Sequence, residues 1–434
     1  MGTAARARAE LAALLVRRHL REINYSYGAA RPADVLAALV AGLAPNRGHD
    51  PVAALERAFA ARIGMPHATA FASGRGALYA ILRALGVGPG DEVIVPGFTC
   101  LVVPAAVIFA GAVPRFADID QRTFNVDPAS LADQVGSRTR VVVAQHTFGA
   151  PADLAAFRRA APSAAIVEDC AHSSGAAVHG TRLGAAGDAA FFSLELTKPI
   201  SAGSGGVAVT GRADIAAALV AEQRAGATVS RARRASAGAR VAASWLLYHP
   251  RAYAVGKFAL AALYKTGILD ISITQAERRG ERPAGYPARL TGPYAAAALA
   301  QLQHVDPDDD RRRAVASRYA AVLAAHGLAW SGYDKDVPYV RFPLLVKGRE
   351  RAAAELRRRH IEVGEWFNGP LHPAGCRLDR LGYAPGSCPV AERVADRMIN
   401  LPTHPNMTGA DIERVIGVLE RLIDWGEIAQ NPWD

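Results

Sequence analysis

Between residues 68 and 193, short apolar runs alternate with stretches of helical spacing. That alternation constrains the fold more than any other feature of the chain. The runs are 68–72, 92–96, 113–116, 141–145, 165–168 and 189–193, and helical spacing fills 77–85, 101–109 and 154–160. Strands that are apolar on both faces and separated by helices belong to a parallel sheet covered on both sides. A seventh run, 206–210, follows a Gly/Ser-rich turn. Apolar residues three and four apart predict helices over 6–43 and 55–63 upstream. Downstream the same reasoning gives helices over 294–302, 310–325, 349–360 and 409–423, with a strand over 339–346.

Composition narrows the class. The chain has 434 residues, 50% hydrophobic and 21% charged, so it can bury a core and is neither disordered nor collagen-like. The net charge of +10 is carried almost entirely by arginine, the lysines being Lys198, Lys257, Lys265, Lys335 and Lys347. The arginines are scattered and no nucleic-acid module is present, so the expectation is solvated helix faces and no nucleic-acid partner; an anionic small-molecule substrate is compatible. The four cysteines, Cys100, Cys170, Cys376 and Cys388, lack the spacing of a disulfide framework or a zinc site, which points to reduced thiols and no metal. No apolar signal segment opens the chain. The most apolar stretch, 241–269, is broken by His249, Pro250, Arg251, Lys257 and Lys265, so no stable membrane insertion is expected. A cytoplasmic location follows as the expectation.

Five pieces bear on chemistry. Ser73-Gly74-Arg75-Gly76 follows a strand and opens a helix, where small residues and free N–H groups suit an anion; it also suits an ordinary strand-to-helix turn. Gly90-Asp91-Glu92-Val93-Ile94-Val95-Pro96 leads into Phe98-Thr99-Cys100 at the C-terminal end of a strand, where open α/β sheets place ligands. Phe98 there either covers a planar ring or fills the core. Glu168-Asp169-Cys170-Ala171-His172 puts acids at a strand end; Asp169 either caps the next turn or meets a cationic heterocycle nitrogen, since an unpaired buried carboxylate is costly. In Phe191-Phe192-Ser193-Leu194-Glu195-Leu196-Thr197-Lys198, followed by Gly203-Ser204-Gly205-Gly206, a lone lysine sits in a chain that otherwise uses arginine. Imine chemistry needs an amine that can lose its proton, which arginine cannot supply. The fifth piece, Tyr286-Pro287-Ala288-Arg289-Leu290-Thr291, precedes a helix.

In this order and spacing the pieces resemble the DegT/DnrJ/EryC1/StrS family of pyridoxal-phosphate-dependent sugar aminotransferases, over about 41–422. Arg341-Phe342-Pro343, Pro370-Leu371-His372 and Leu401-Pro402-Thr403-His404-Pro405 resemble it too. The resemblance implies fold type I: an α/β protein whose large domain holds a mostly parallel seven-stranded sheet flanked by helices, plus a smaller C-terminal α/β domain. The expected division is an N-terminal helical segment over 1–45, a large cofactor-binding domain over 46–305 and a small domain over 306–434. Lys198 would carry pyridoxal 5'-phosphate as a Schiff base and move the proton at the substrate carbon. Asp169 would face the pyridine nitrogen, and His172 would lie beside the cofactor. Ser193, Gly74, Arg75 and Gly76 would hold the phosphate, and Phe98 or Cys100 would face the ring.

Three departures stand out. Cys100 occupies a place where the family often has a stacking aromatic. Arg75 replaces a smaller Thr or Ser. Pro287 stands in place of an Asn that usually reaches the neighbouring subunit's phosphate. An extended insertion over 228–275 reads as a lid, a dimer contact, a membrane-surface helix or extra packing. The implied function is transfer of an amino group, from L-glutamate, to a keto or aldehyde sugar that is nucleotide-linked, in amino-sugar or antibiotic biosynthesis, by a homodimer. The alternatives are a cyclitol or other natural-product carbonyl as acceptor, or a non-catalytic regulator that keeps the fold and binds the cofactor.

Overall fold

The computed structural model describes residues 22–24, 30–43, 50–265 and 273–434. Seven strands form one sheet: β1 (His67–Phe71), β2 (Glu92–Pro96), β3 (Val113–Ala117), β4 (Thr139–Gln145), β5 (Ala165–Asp169), β6 (Ala189–Ser193) and β7 (Gly206–Thr210). Their order is β1-β7-β6-β5-β4-β2-β3. Strands β2 to β6 pair in parallel; β7 runs antiparallel to both β6 and β1. The reversal goes with a short link: only residues 194–205 join β6 to β7, whereas the longer 170–188 link between the parallel β5 and β6 carries a small hairpin (Ala177–Val178 with Thr181–Arg182). Val93, Val95, Val142, Ile166, Val207 and Val209 are fully buried, so both faces of the sheet are covered.

The helices that position the cleft are α1 (Pro32–Leu43), α2 (Pro51–Ile63), α3 (Gly74–Ala84), α4 (Arg231–Tyr248), α5 (Tyr253–Lys265), α6 (Gly292–Gln301) and α7 (Val305–Ala325). Local chemistry sets their ends. Asp50 caps α2 by accepting from the Val52 N–H at 2.9 Å, with Pro51 in the first turn and Gly64 in the left-handed conformation at the far end (φ 79°). Ser73 caps α3 by accepting from the Gly76 N–H at 3.1 Å.

The helix expected over 6–43 is only partly visible: 6–21 lies outside the described residues, and α1 is the described helical part. Residues 22–24 are not helical. The Ile23 N–H donates to the His360 carbonyl at 2.9 Å, and its own carbonyl accepts from the Glu362 N–H at 2.8 Å. Pairing with a distant segment overrides the local helical spacing there. Within the 228–275 insertion, α4 crosses α1 closely: a Cβ on Gly238 would sit 2.8 Å from the Ala38 carbonyl oxygen, so glycine lets the backbones meet.

Beyond α7, β8 (Arg341–Leu345) and β9 (Met398–Pro402) form an antiparallel pair. The loop between them returns to the segment after β2, where Leu371–His372 and Thr99–Cys100 form a separate two-stranded parallel sheet. The Thr99 N–H donates to Pro370 at 3.0 Å and the Leu101 N–H donates to His372 at 2.9 Å. The main core runs from Ile23 to Ala429, and a second cluster that includes Ile94, Val142 and Ile166 covers the other face of the sheet. Among the described residues no helix is long and apolar enough to cross a membrane.

Candidate active site

A cleft of about 510 Å³ opens where β5 and β6 end and α3 begins. That is where an open α/β sheet leaves a crevice for ligands. Its lining includes Ser73, Gly74, Arg75, Cys100, Asp169, His172, Ser193 and Lys198. Residues from the 228–275 insertion reach it as well, namely Val229, Ile273 and Thr274.

The last two residues of β5 point to opposite faces and meet opposite fates. Glu168 is saturated. One carboxylate oxygen accepts from the N–H groups of Ala186 (2.8 Å) and Gly187 (2.6 Å), the other from Gly184 N–H (2.9 Å) and His146 Nε2 (2.9 Å). His146 Nδ1 accepts from the Ala152 N–H at 3.1 Å, which leaves the ring proton on Nε2, facing Glu168. Burial pushes the Glu168 carboxyl up, but His146 and the three N–H groups outweigh it and hold it below its ordinary value. Asp169 accepts from the Ala171 N–H at 2.9 Å. It is only 4% exposed, and burial pushes its carboxyl up to about 6 against the pull of Ala171, Lys198 and His146. A carboxylate held at such cost fits a cationic nitrogen brought by a ligand.

Lys198 lies across the cleft. Burial lowers its ammonium below the ordinary lysine range; Glu195, Cys100 and Asp169 pull the other way, and Arg341 adds to the lowering. Its Nζ sits 4.1 Å from the centroid of the Trp366 ring. The Phe148 N–H donates to His172 Nδ1 at 3.1 Å, which leaves Nε2 as the protonated ring nitrogen. Burial, with Lys198, Arg341 and His372 nearby, holds His172 well below its ordinary value, so it is a neutral donor at neutral pH.

The start of α3 forms an anion cradle. A Cβ on Gly74 would lie 3.0 Å from Ser193 Cβ and 3.2 Å from the Phe192 carbonyl oxygen, so glycine alone lets the helix N-terminus close on β6. Arg75 lines the cradle, and its guanidinium forms an ion pair with the fully buried carboxylate of Glu277. Glu277 in turn accepts from the Thr274 N–H and Oγ1, both at 2.8 Å. The Tyr286 hydroxyl donates to the Arg75 carbonyl at 2.6 Å.

Most of the expected residues therefore share one cleft, with two qualifications. Gly76 does not line it; its N–H is spent on the Ser73 cap. Phe98 does not face it either. That ring is fully buried and packs on Phe367 (5.0 Å), Phe124 (6.4 Å) and Phe148 (6.5 Å), whereas Cys100 lines the cleft. The sequence reasoning passed over Trp366, Glu195 and Glu277. Trp366 sits in a loop with no periodicity, and Glu277 looks like one more surface charge until the fold buries it.

Fold and cleft together define the class of pyridoxal-phosphate-dependent aminotransferases: a mostly parallel sheet, a lysine amine and a buried aspartate about one crevice, and a helix N-terminus at its rim. The model of the DegT/DnrJ/EryC1/StrS aminotransferase family matches residues 29–420, and the chain belongs to that family. A UDP-N-acetyl-3-dehydro-alpha-D-glucosamine 3-aminotransferase from Acidithiobacillus ferrooxidans is 29% identical over 377 residues, covering 85% of this chain and 88% of the relative. GDP-perosamine synthase from Caulobacter vibrioides is 29% identical over 378 residues, covering 85% and 89%. Among solved structures, DesV of S. venezuelae, in complex with a ketimine intermediate, is 28% identical with a TM-score of 0.69, covering 90% of this chain and 94% of that one.

Proposed function

We propose that this aminotransferase moves an amino group from L-glutamate to the keto or aldehyde group of a nucleotide-linked sugar, in amino-sugar or antibiotic biosynthesis. The observation that carries the reading is the shared cleft of Lys198 and Asp169, close enough that each charge acts on the other. Acceptor class is supported by the relatives, which are named for UDP- and GDP-linked amino sugars.

The residues fit pyridoxal phosphate. Asp169 is a buried acid short of a cation, and Gly74 with Ser193 leaves room for an anion at a helix N-terminus. When bound, the cofactor supplies an aldehyde that takes up amines and a ring that draws off electrons. Everything else falls to the chain. Lys198 would hold the cofactor through Nζ and would serve as the base that moves the proton at the substrate carbon, for which its lowered ammonium suits it. Asp169 keeps the ring nitrogen charged. The neutral His172 offers its Nε2–H as a donor beside the ring. Ser73, Gly74, Arg75 and Ser193 take the phosphate, and the cleft walls exclude water.

We further propose a homodimer working in the cytoplasm, with residues 46–305 as the cofactor scaffold and 306–434 as the second domain. A partner copy would cover Leu36, Val40 and Leu43, an apolar stripe that α1 exposes. The four cysteines are free. The test is a half-reaction. L-glutamate added to cofactor-loaded protein should convert the cofactor to its pyridoxamine form and release 2-oxoglutarate. That form should then be discharged by keto-sugar nucleotides and not by ketocyclitols. No conversion with any amino donor contradicts the transferase reading of this site; discharge by ketocyclitols alone moves the acceptor to that class.

A further inference from the structure

The cleft contains an aromatic slab that no expected role accounts for. Phe148 stacks on His172 (5.9 Å between centroids, 9° between planes), and His172 stacks on Trp366 (4.8 Å, 10°). Phe367 lies nearly parallel to Trp366 at 6.3 Å and 20°. The Trp366 indole therefore belongs to a column of near-parallel rings, and it lines the cleft. It is also held from several sides. Its backbone N–H donates to Asn400 Oδ1 at 2.7 Å, and the Arg341 guanidinium packs 3.4 Å from its ring centroid. The loop that carries it is fastened to Thr99–Cys100 by the parallel pairing of Leu371–His372.

That fastening matters, because the Thr99–Cys100 segment offers the cleft no ring of its own: Cys100 lines the cleft, and Phe98 is committed to the core. Phe191, Tyr286, Tyr294 and Phe367 also line the cleft, but the Trp366 ring is the one that lies over Lys198 Nζ, at 4.1 Å. Nζ is the atom through which the cofactor is carried, so any group bonded to it begins beside the indole. A flat, electron-poor heterocycle gains from an aromatic neighbour through dispersion and quadrupole attraction, and a positively charged nitrogen gains from the indole face.

We propose that Trp366 is the aromatic wall of the cofactor site, a positioning residue that orients the ring carried on Lys198 and shields its attachment nitrogen from water. The proposal rests on the assignment of Lys198 made above. It makes the loop between β8 and β9 part of the cofactor site.

The test uses full-length protein stripped of cofactor and titrated with pyridoxal phosphate. Affinity is read by equilibrium dialysis, and ring orientation by the visible circular-dichroism band of the bound cofactor. W366F keeps a ring and should stay within about threefold of the parent in affinity, with its band retained. W366M keeps bulk without a ring; it should lose about tenfold in affinity and most of the band, and W366A should lose at least as much. Parental affinity and band in W366M overturn the proposal, as does equal loss in W366F and W366M, which would mean that only indole-sized bulk is needed. Should W366A fail to fold, the F and M pair decides. A parent that takes up no cofactor contradicts the whole reading of the site; a parent that binds while all three variants match it overturns the wall alone.

Discussion

Glu168 and Asp169 are adjacent, buried and at the end of the same strand, yet the molecule treats them as opposites. On the Glu168 side every carboxylate oxygen meets donors, and the group knots β4, β5 and the 184–187 loop together. On the Asp169 side the chain provides one backbone N–H and the nearby charge of Lys198, and leaves the acid costly. The first arrangement serves stability; the second lowers it, and on the proposed reading a cation brought by the ligand completes it. This comparison locates the site without reference to any relative, because a folded protein rarely keeps a buried charge underpaired unless a ligand completes it.

The contrast can be broken most forcefully across the cleft. Lys198→Ala should lower turnover by about a thousandfold or more, while thermal melts show a fold as stable as the parent's. Parental activity would remove Lys198 from the chemistry. Asp169→Asn should slow the glutamate half-reaction by about a hundredfold in stopped-flow measurements, because an amide cannot keep the ring nitrogen charged.

The same variant should have the opposite effect on the cofactor-free protein. An acid raised to about 6 in the fold, from an ordinary 3.8, costs stability as pH rises through that window and leaves the cost in place above it. Cofactor-free Asp169→Asn should therefore be more stable than the cofactor-free parent at pH 8, by on the order of 2 kcal/mol in denaturant melts, and the gap should close toward pH 4. Glu168 carries the reverse sign. Its lowered carboxyl contributes stability above the ordinary 4.5 that is lost as pH falls below it. Glu168→Gln should cost about 1–3 kcal/mol at pH 7 and leave kcat of the folded enzyme within a few-fold, since the residue faces away from the cleft. A Glu168→Gln enzyme as inactive as Asp169→Asn would dissolve the distinction between the two sides.

The smallest effect concerns the cradle. Arg75→Ala should weaken cofactor binding by about tenfold, with Glu277→Gln following in the same direction because Glu277 holds the guanidinium. Unchanged affinity in Arg75→Ala would leave phosphate binding to the α3 backbone and Ser193 alone.

Much of this was legible in the sequence. Apolar runs between helical stretches specify a parallel sheet because such strands can only be buried, and all seven appear where the pattern puts them. Asp169, His172, Ser193 and Lys198 were legible because they flank those strands at the ends where a crevice must form. What stayed hidden depends on distant pairing. Ile23 lies in a helical pattern but pairs with the 360–362 segment. Phe98 reads as a ring cover or, more readily, as core, and the aromatic cluster around it decides for the core. β9 is short and follows a helix directly, so no break in pattern marks it. Trp366 reaches the cleft through a loop whose course is set by two residues of pairing, well over two hundred positions away in sequence.

The central claim is a covalent one, that Lys198 carries the cofactor. Borohydride reduction of cofactor-saturated protein, followed by peptide mass spectrometry, tests it most directly. One phosphopyridoxyl adduct is expected, on the peptide containing Lys198, and none in Lys198→Ala. A folded, saturated protein whose Lys198 peptide remains unmodified would contradict it.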